Sequence, residues 1–243
     1  LASLCISETS LASGLQHQLL QELTALEDSN WPPWVRYRGA SAEFFLGITS
    51  CNFASAKMSL QRGVVLAARA GSSSAVLQTM GNLADTALAA GDVDEAVRTG
   101  IEVERQASNS IRDRHSLASS RVNLTGALLA QGSVAEARVM AKAAWPLAKE
   151  FLRLDWLADN AALLAALEGR ARAAAKLCGF ADAIYSTEGG AVRQVNEARA
   201  AERAKGIACE AIGDSEFERL KAEGARLSAE AAESLAFGPA EKS

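Results

Sequence analysis

The chain has 243 residues, a formal net charge of −4 at pH 7 and 49% hydrophobic but only 5% aromatic residues. This composition, with only four prolines, predicts an all-α protein rather than a β-rich one. The acidic balance disfavours direct nucleic-acid binding, which needs a basic surface, and no apolar run approaches the roughly 20 residues that cross a membrane.

Residues 1–34 predict one amphipathic helix and a corner. Leucines at positions 11, 15, 19, 23 and 26 share a helical face, so the helix should open near residue 9 or 10 and end by Asp28. Trp31-Pro-Pro-Trp34 forbids continuation of the helix, and its indoles are expected to pack on neighbouring helices; a Pro-rich recognition ligand is the alternative.

The first residues of the chain also bear on the cellular location of the protein. The first ten residues lack a basic segment and a continuous apolar core, so we expect no signal peptide and a cytoplasmic location. The first residue is leucine rather than methionine, which suggests a fragment of a longer protein.

A first helical hairpin is predicted between residues 40 and 70. Its helix A covers residues 41–47 and its helix B residues 53–70, while the register between them stays open. Gly71-Ser-Ser-Ser74 then predicts a helix break.

Three later stretches share one frame, in which an asparagine lies nine residues before a glycine and an alanine five residues after it. The copies are Asn82, Gly91 and Ala96; Asn123, Gly132 and Ala137; and, more weakly, Asn160, Gly169 and Ala174. The glycines are 41 and then 37 residues apart, a period typical of helical-hairpin arrays. Glycine can end one helix in the left-handed conformation, and the small alanine lets two helices cross closely.

The turns carry capping signals as well. Asp92 and Ser133 each have a glutamate three residues later, which predicts a capping box at the start of both helices B. Arg170 takes this position in the third copy, which leaves its turn geometry open. Pro146 should kink or split the helix expected over residues 134–154.

These residues resemble the tetratricopeptide repeat (TPR) family. The match lies in Asn82-Leu-Ala84, Leu88, Gly91-Asp92 and Glu95-Ala96, with a second copy from Asn123 to Ala137. The resemblance implies a right-handed superhelical array of helix-turn-helix hairpins over residues 35–174. It also implies a concave groove lined by the first helix of each hairpin.

Residues 175–243 predict a C-terminal helical cap and tail. An apolar helix continues to residue 183, and further helices are expected over residues 191–212, 214–223 and 228–236. The basic stretch from Arg193 to Lys205 should be a solvated helix face. With Gly213-Asp214, Phe217 and Gly224, this tail resembles the C-terminal end of large bacterial transcriptional regulators, in which a DNA-binding domain and an NTPase module precede a helical arm.

Motifs of catalysis are missing from the sequence. It contains no phosphate-binding loop, no GxSxG elbow and no HExxH pair, so we expect no enzyme activity. Cys5, Cys51, Cys178 and Cys209 stand singly and should be buried, unreactive thiols, and two isolated histidines complete no metal site. We therefore expect no cofactor.

The resemblance places binding residues in the groove. It implies that the three repeat asparagines face the groove, where an amide can bond a ligand backbone as donor and acceptor. The residues that should border the groove at the same helical spacing are Gln78, Asp85, Ser119 and Trp156. The alternative is that the asparagines bond neighbouring helix backbones.

The function implied is that of an interaction or effector-sensing arm in a bacterial signalling or transcriptional regulator. A protein, a peptide or a small effector would occupy the groove, and the arm would pack on N-terminal domains of the same parent chain. Capture of an acidic tail is disfavoured, because the lysine positions of such grooves hold Gly81, Val122 and Asp159. A freestanding scaffold that joins two proteins, and homo-oligomerisation through an apolar helix face, are the alternatives.

Overall fold

The computed structural model of the chain describes residues 13–109, 113–151, 153–186 and 193–238. Within these ranges the protein is all-α, with helices and turns and no strand, as the composition predicts. The start of the first helix near residue 9 or 10, predicted above, lies outside the described residues. The helices form two compact units, Leu1–Ser116 and Leu117–Ser243.

Among the described residues of the first unit, five helices follow one another, and each packs on the next in chain order. They are α1 (Ser13–Leu26), α2 (Pro33–Thr49), α3 (Phe53–Arg69), α4 (Ser73–Ala89) and α5 (Val93–Ser108). This neighbour-to-neighbour packing agrees with a helical repeat array, in which each hairpin buries its apolar face against the adjacent one.

The described residues of the second unit form most of α6, which begins within the first unit, and six further helices. They are α6 (Arg114–Gln131), α7 (Val134–Glu150), α8 (Asp155–Leu167), α9 (Ala171–Tyr185), α10 (Val195–Ile212), α11 (Asp214–Gly224) and α12 (Ala229–Phe237). Here the packing centres on α9, which contacts α8, α10, α11 and α12.

The predicted repeat turns are present at all three glycines. Gly91, Gly132 and Gly169 have φ values of 89°, 90° and 74°, so each joins two helices through the left-handed conformation. The alanine five residues after each turn is completely buried, as expected where two antiparallel helices cross; these residues are Ala96, Ala137 and Ala174. Arg170 does not change the turn, because the glycine before it sets the backbone.

The register of the first hairpin is set by a fourth turn of the same kind. Cys51 has φ 55°, and it precedes Gly91 by nearly the same interval that separates Gly91 from Gly132. Ala56, which follows Cys51 as Ala96 follows Gly91, is likewise fully buried. Helix A of this hairpin is α2, which begins at Pro33 and is much longer than the predicted residues 41–47. Helix B is α3, which ends within one residue of its predicted end.

Only one of the two predicted capping bonds forms. The side chain of Asp92 accepts a hydrogen bond of 3.2 Å from the backbone N–H of Glu95, as predicted. The prediction for Ser133 was wrong, because its hydroxyl donates instead to Gln131 Oε1 at 3.1 Å and leaves the helix N-terminus uncapped.

The prolines of residues 31–34 form a corner between two helices, whereas Pro146 does not interrupt its helix. Trp31-Pro-Pro-Trp34 joins α1 to α2, with Pro33 as the first residue of α2. Trp31 packs on the cluster of Leu23, Ala42 and Leu46, whereas Trp34 is 60% exposed, so the prediction that both indoles pack was half right. Pro146 does not split its helix, since α7 runs through it.

Two glycines let α9 and α11 touch backbone to backbone. A Cβ on Gly179 would lie 1.9 Å from the carbonyl oxygen of Lys221, and one on Gly224 would lie 1.8 Å from the carbonyl oxygen of Lys176. Both positions therefore require glycine for packing.

The end of α12 is held by two arginines. Arg170 donates to the carbonyl oxygens of residues 235 and 236 at 2.7 and 2.6 Å, and Arg138 donates to those of residues 237 and 238 at 2.8 and 3.1 Å. Glu168 accepts from both guanidinium groups and balances part of their charge. The last carbonyls of a helix lack partners within it, so this arrangement completes the C-terminus of α12.

Among the described residues, none of the helices combines the length and the apolarity that spanning a bilayer requires.

Candidate ligand-binding groove

A cleft of about 220 Å³ lies between α2, α3 and α4 in the first unit. Two of the predicted groove residues, Gln78 and Asn82, line it from successive turns of α4. Gln78 is exposed and Asn82 is half-buried. Within the part of the chain that the structure describes, neither amide side chain makes a hydrogen bond.

The opposite wall of the cleft repeats the same helical positions one hairpin earlier. Arg38 on α2 corresponds to Gln78 on α4, and Phe45 corresponds to Asp85, because the spacing within each pair equals that between the turns at Cys51 and Gly91. Both Arg38 and Phe45 line the cleft. Neither residue was predicted from the sequence, because the register of this hairpin was open.

Residues of α3 and the hydroxyl groups of Tyr37 and Thr79 also line the cleft. Tyr37 and Thr79 contribute hydroxyls whose oxygens lie 3.3 Å apart, and Thr79 also donates to the carbonyl oxygen of Ala75. Gly63 permits the approach of α3 to α4, since a Cβ there would lie 3.2 Å from Thr79 Cγ2. The lining thus combines a guanidinium, hydroxyls, two amides and aromatic rings.

Asp85 is the third predicted residue of this unit. It lies on α4, one turn after Asn82, and it is half-buried. It has an interaction within the protein and does not line the cleft.

The remaining predicted residues belong to the second unit. Ser119 and Asn123 are half-buried on α6, and both make interactions within the protein. The ring centroid of Trp156, on α8, lies 3.9 Å from the guanidinium of Arg153, which precedes this helix; this is a cation–π contact. Asn160 is only 7% exposed, so its amide is nearly closed to solvent.

One basic residue differs from its prediction. Arg193 was predicted on a solvated helix face, but it binds Asp159 through two hydrogen bonds of 2.9 and 3.1 Å and Asp182 through one of 2.6 Å. It also lies over the ring of Tyr185 at 4.4 Å. The prediction failed because Asp159 comes from α8, far away in the sequence, and no local spacing links the two.

Burial and pairing set the pKa values of these carboxyl groups in opposite directions. Burial raises the pKa of Asp159, and the hydrogen bonds from Arg193 offset this only in part. Burial also acts to raise the pKa of Asp182, but hydrogen bonds from Lys221 and Arg193 outweigh it and the net shift is downward. Arg193 and Lys221 thus form an ion network with Asp159 and Asp182, in which two basic groups meet two acidic ones. The network joins the segment before α10 to α8 and α9.

The three cysteines that the structure describes differ in burial, and Cys209 is half-buried. Cys178 is buried, and burial raises the pKa of its thiol to about 12. Cys51 is exposed, which contradicts the prediction that the thiols are buried, and Cys5 lies outside the described residues. Among the residues that the structure describes, no cluster of histidine, cysteine, aspartate or glutamate could hold a metal ion.

A scan against protein-family models and a search of curated proteins gave no match to this chain.

Proposed function

We propose that this chain is a non-catalytic, TPR-like interaction or effector-sensing arm of a bacterial signalling or transcriptional regulator. The observation that supports the proposal is the cleft between α2 and α4, where equivalent positions of consecutive hairpins, Arg38 and Gln78, come together with Asn82. An array of hairpins that repeats such positions offers a continuous groove to an extended ligand.

The chemistry of the cleft suits a peptide backbone. The amide of Asn82, like that of Gln78, carries both donors and an acceptor, so the pair can bond successive peptide groups of an extended chain. Tyr37 and Thr79 add hydroxyls, and Phe45 adds an apolar surface for a ligand side chain. A small polar effector would use the same groups.

The proposal extends to the other predicted groove residues. It assigns Asn123 and Asn160, like Asn82, to positions that face the groove, and Asp85, Ser119 and Trp156 to its border. The low exposure of Asn160 limits it to a supporting role, such as holding α8 in place. The array is proposed to be a right-handed superhelix, with α10 to α12 as its C-terminal cap.

The mechanism we propose is a population shift. Ligand in the groove favours one packing of the arm on N-terminal domains of the parent chain, and this changes their NTPase or DNA-binding state. The arm itself acts in the cytoplasm and contacts neither nucleic acid nor membrane. No cofactor takes part.

Selection of peptides from a random displayed library tests the site directly. Selected peptides are titrated by calorimetry against the wild type and against the double variant Gln78→Ala/Asn82→Ala. Two or three hydrogen bonds, each with a net contribution of about 1 kcal/mol, predict a loss of roughly 30-fold to 150-fold in affinity. A control, Gln106→Ala/Asn109→Ala, removes the same two side-chain types from α5 and its end, outside the cleft. Because these amides donate to Glu102 and to the carbonyl oxygen of Arg105, circular dichroism checks that the control variant folds.

A second experiment tests whether the cleft binds a small effector. Small molecules that co-purify with the wild type from a bacterial extract are identified by mass spectrometry and titrated against the same variants. Peptides or small molecules that bind the cleft variant as tightly as the wild type would remove the site assignment. Failure of both selections to yield any ligand would remove the proposed function.

A further inference from the structure

The outward face of α3 is apolar over most of its length. Apart from Arg69, the last residue of the helix, its exposed residues follow one another at spacings of four, three, four and three: Ala54, Met58, Gln61, Val65 and Ala68. We call this set the α3 stripe. Met58 is 68% exposed and Val65 is 50% exposed, and no member of the stripe carries a charge.

The equivalent face of α5 shows what an ordinary solvent face looks like in this fold. At the corresponding positions of the next hairpin, the exposed residues are Asp94, Arg98, Ile101, Arg105 and Ser108. Three of these five carry charges, and arginines stand where the stripe has methionine and valine. The apolar character of the α3 stripe is therefore not imposed by the repeat, and a contiguous exposed apolar surface is typical of an interaction site.

The residues of the α3 stripe are spaced like the contact residues of two paired helices. Their order is also nearly the same from either end of the stripe. Alternating steps of three and four residues form the a and d positions of a coiled coil. Around Gln61, alanine lies seven residues away on either side, and Met58 and Val65 lie three and four residues away. We propose that the α3 stripe packs antiparallel on the α3 stripe of a second copy of this chain, with Gln61 at the two-fold axis.

This register matches groups of suitable size and polarity. Met58 of one copy lies against Val65 of the other, and the small alanines at both ends let the two backbones approach over about 21 Å of helix. The amides of the two Gln61 residues face each other, and each can donate to and accept from the other. A single polar residue in an apolar seam is a known means of fixing register and orientation.

The charges that flank the stripe do not oppose self-association. Lys57 forms an ion pair with Glu95, and Arg62 forms one with Glu43 at 2.9 Å. Each copy therefore neutralises these two cations within its own first unit. The exposed Arg69 lies eight residues from Gln61, so an antiparallel pair places the two Arg69 side chains at opposite ends of the seam.

The second unit shows that this outward face accepts a helix. By the offsets between the turns, Gly179 on α9 occupies the position of Gln61 on α3. At that position α11 crosses α9 in backbone contact. A covering helix on the outward face of a helix B is thus already part of this fold.

The oligomeric state of the wild type and of one double variant tests the proposal. Met58→Arg/Val65→Arg copies into α3 the arginines that α5 carries at the same positions, so the variant is expected to fold, which circular dichroism checks. Sedimentation velocity over a wide concentration range should show a wild-type dimer that dissociates in the micromolar range, since one helix pair is a small interface. The double variant should weaken this association at least tenfold. Val139→Arg, at an apolar residue of α7 that is 69% exposed and outside the stripe, should behave as the wild type.

Cross-linking tests the register. In a Cys51→Ser background, the further change Gln61→Cys should give a disulfide-linked dimer on mild oxidation. The amount of this dimer should exceed the amount that the Cys51→Ser variant alone gives. Ala54→Cys and Ala68→Cys should cross-link when mixed and not when each is oxidised alone. A wild type that stays monomeric, or a dimer unaffected by Met58→Arg/Val65→Arg, would overturn the proposal. A dimer with another cross-linking pattern would overturn the antiparallel register.

Discussion

Replacement of Gly179 by alanine tests whether direct backbone contact between α9 and α11 holds the C-terminal helices in place. In the interior of a helix, this change by itself stabilises, because alanine is favoured over glycine by about 1 kcal/mol. The sign of the effect therefore depends on the space around the new methyl group. A Cβ at this position would lie 1.9 Å from the carbonyl oxygen of Lys221.

Relief of this contact requires the two helices to separate. Ordinary van der Waals contact begins near 3.4 Å, so the helices must move apart by most of the difference between these two distances. The obstacle is a backbone carbonyl, which cannot rotate away as a side chain can. The move also loosens Phe217 and Leu220, each only 1% exposed. Overpacking of a core costs about 1–3 kcal/mol, and the backbone obstacle places this site at the upper end. We expect a net loss of roughly 2 kcal/mol in the free energy of unfolding.

Gly206→Ala is the matched control. Gly206 lies within α10, and a Cβ there meets nothing within 4 Å, so the helical preference should act alone and stabilise by up to about 1 kcal/mol. Urea unfolding of the intact chain, followed by circular dichroism, measures both variants, and hydrogen exchange of α11 locates the change. Equal stability of Gly179→Ala and Gly206→Ala would refute the reasoning.

A double variant sharpens the test. Gly179→Ala and Gly224→Ala are relieved by the same separation of helices, so together they should cost less than the sum of the two single losses. Strictly additive losses would mean that the two glycines act independently, which contradicts the single crossing that the distances describe.

Three further predictions concern caps, turns and the buried ion network. Ser72→Ala should lower stability by about 1 kcal/mol, because this hydroxyl caps α4, whereas Ser133→Ala should cost much less, since it caps nothing; thermal unfolding compares the two. Cys51→Gly should stabilise by up to about 1 kcal/mol and Gly91→Ala should destabilise by a similar amount, because both positions have positive φ; equal effects in urea unfolding would disprove this. Arg193→Gln should destabilise by about 3–5 kcal/mol at neutral pH, because a buried carboxylate loses its partner, and a loss below about 1 kcal/mol would show that solvent reaches the site.

The sequence by itself determined the local structure of the repeats. The spacing from Asn82 to Gly91 to Ala96 predicts the end of one helix, the turn and the close crossing, because each depends on residues within a few positions of one another. The C-terminal helix was predicted to begin at residue 228, and the structure shows there a bond from the backbone N–H of Ala231 to the hydroxyl of Ser228, which caps the helix.

Local spacing failed where a residue did not have the expected type or where a partner was distant. Cys51 adopts the conformation that glycine adopts in the other turns, so the first hairpin, and with it Arg38 and Phe45 of the cleft, could not be aligned in advance. Ser133 has the sequence of a cap but bonds to Gln131 instead. Short-range patterns cannot decide between two such bonds of similar strength.

Only the tertiary structure decided which helix faces are covered. The pairing of Arg193 with Asp159, the contact of α11 with α9 at Gly179 and the exposure of the α3 stripe all depend on residues that are far apart in sequence. A glycine, an arginine or a valine on a helix has the same local preference whether its face is buried or exposed. The difference arises from the free energy of packing against another element, which the local sequence does not contain.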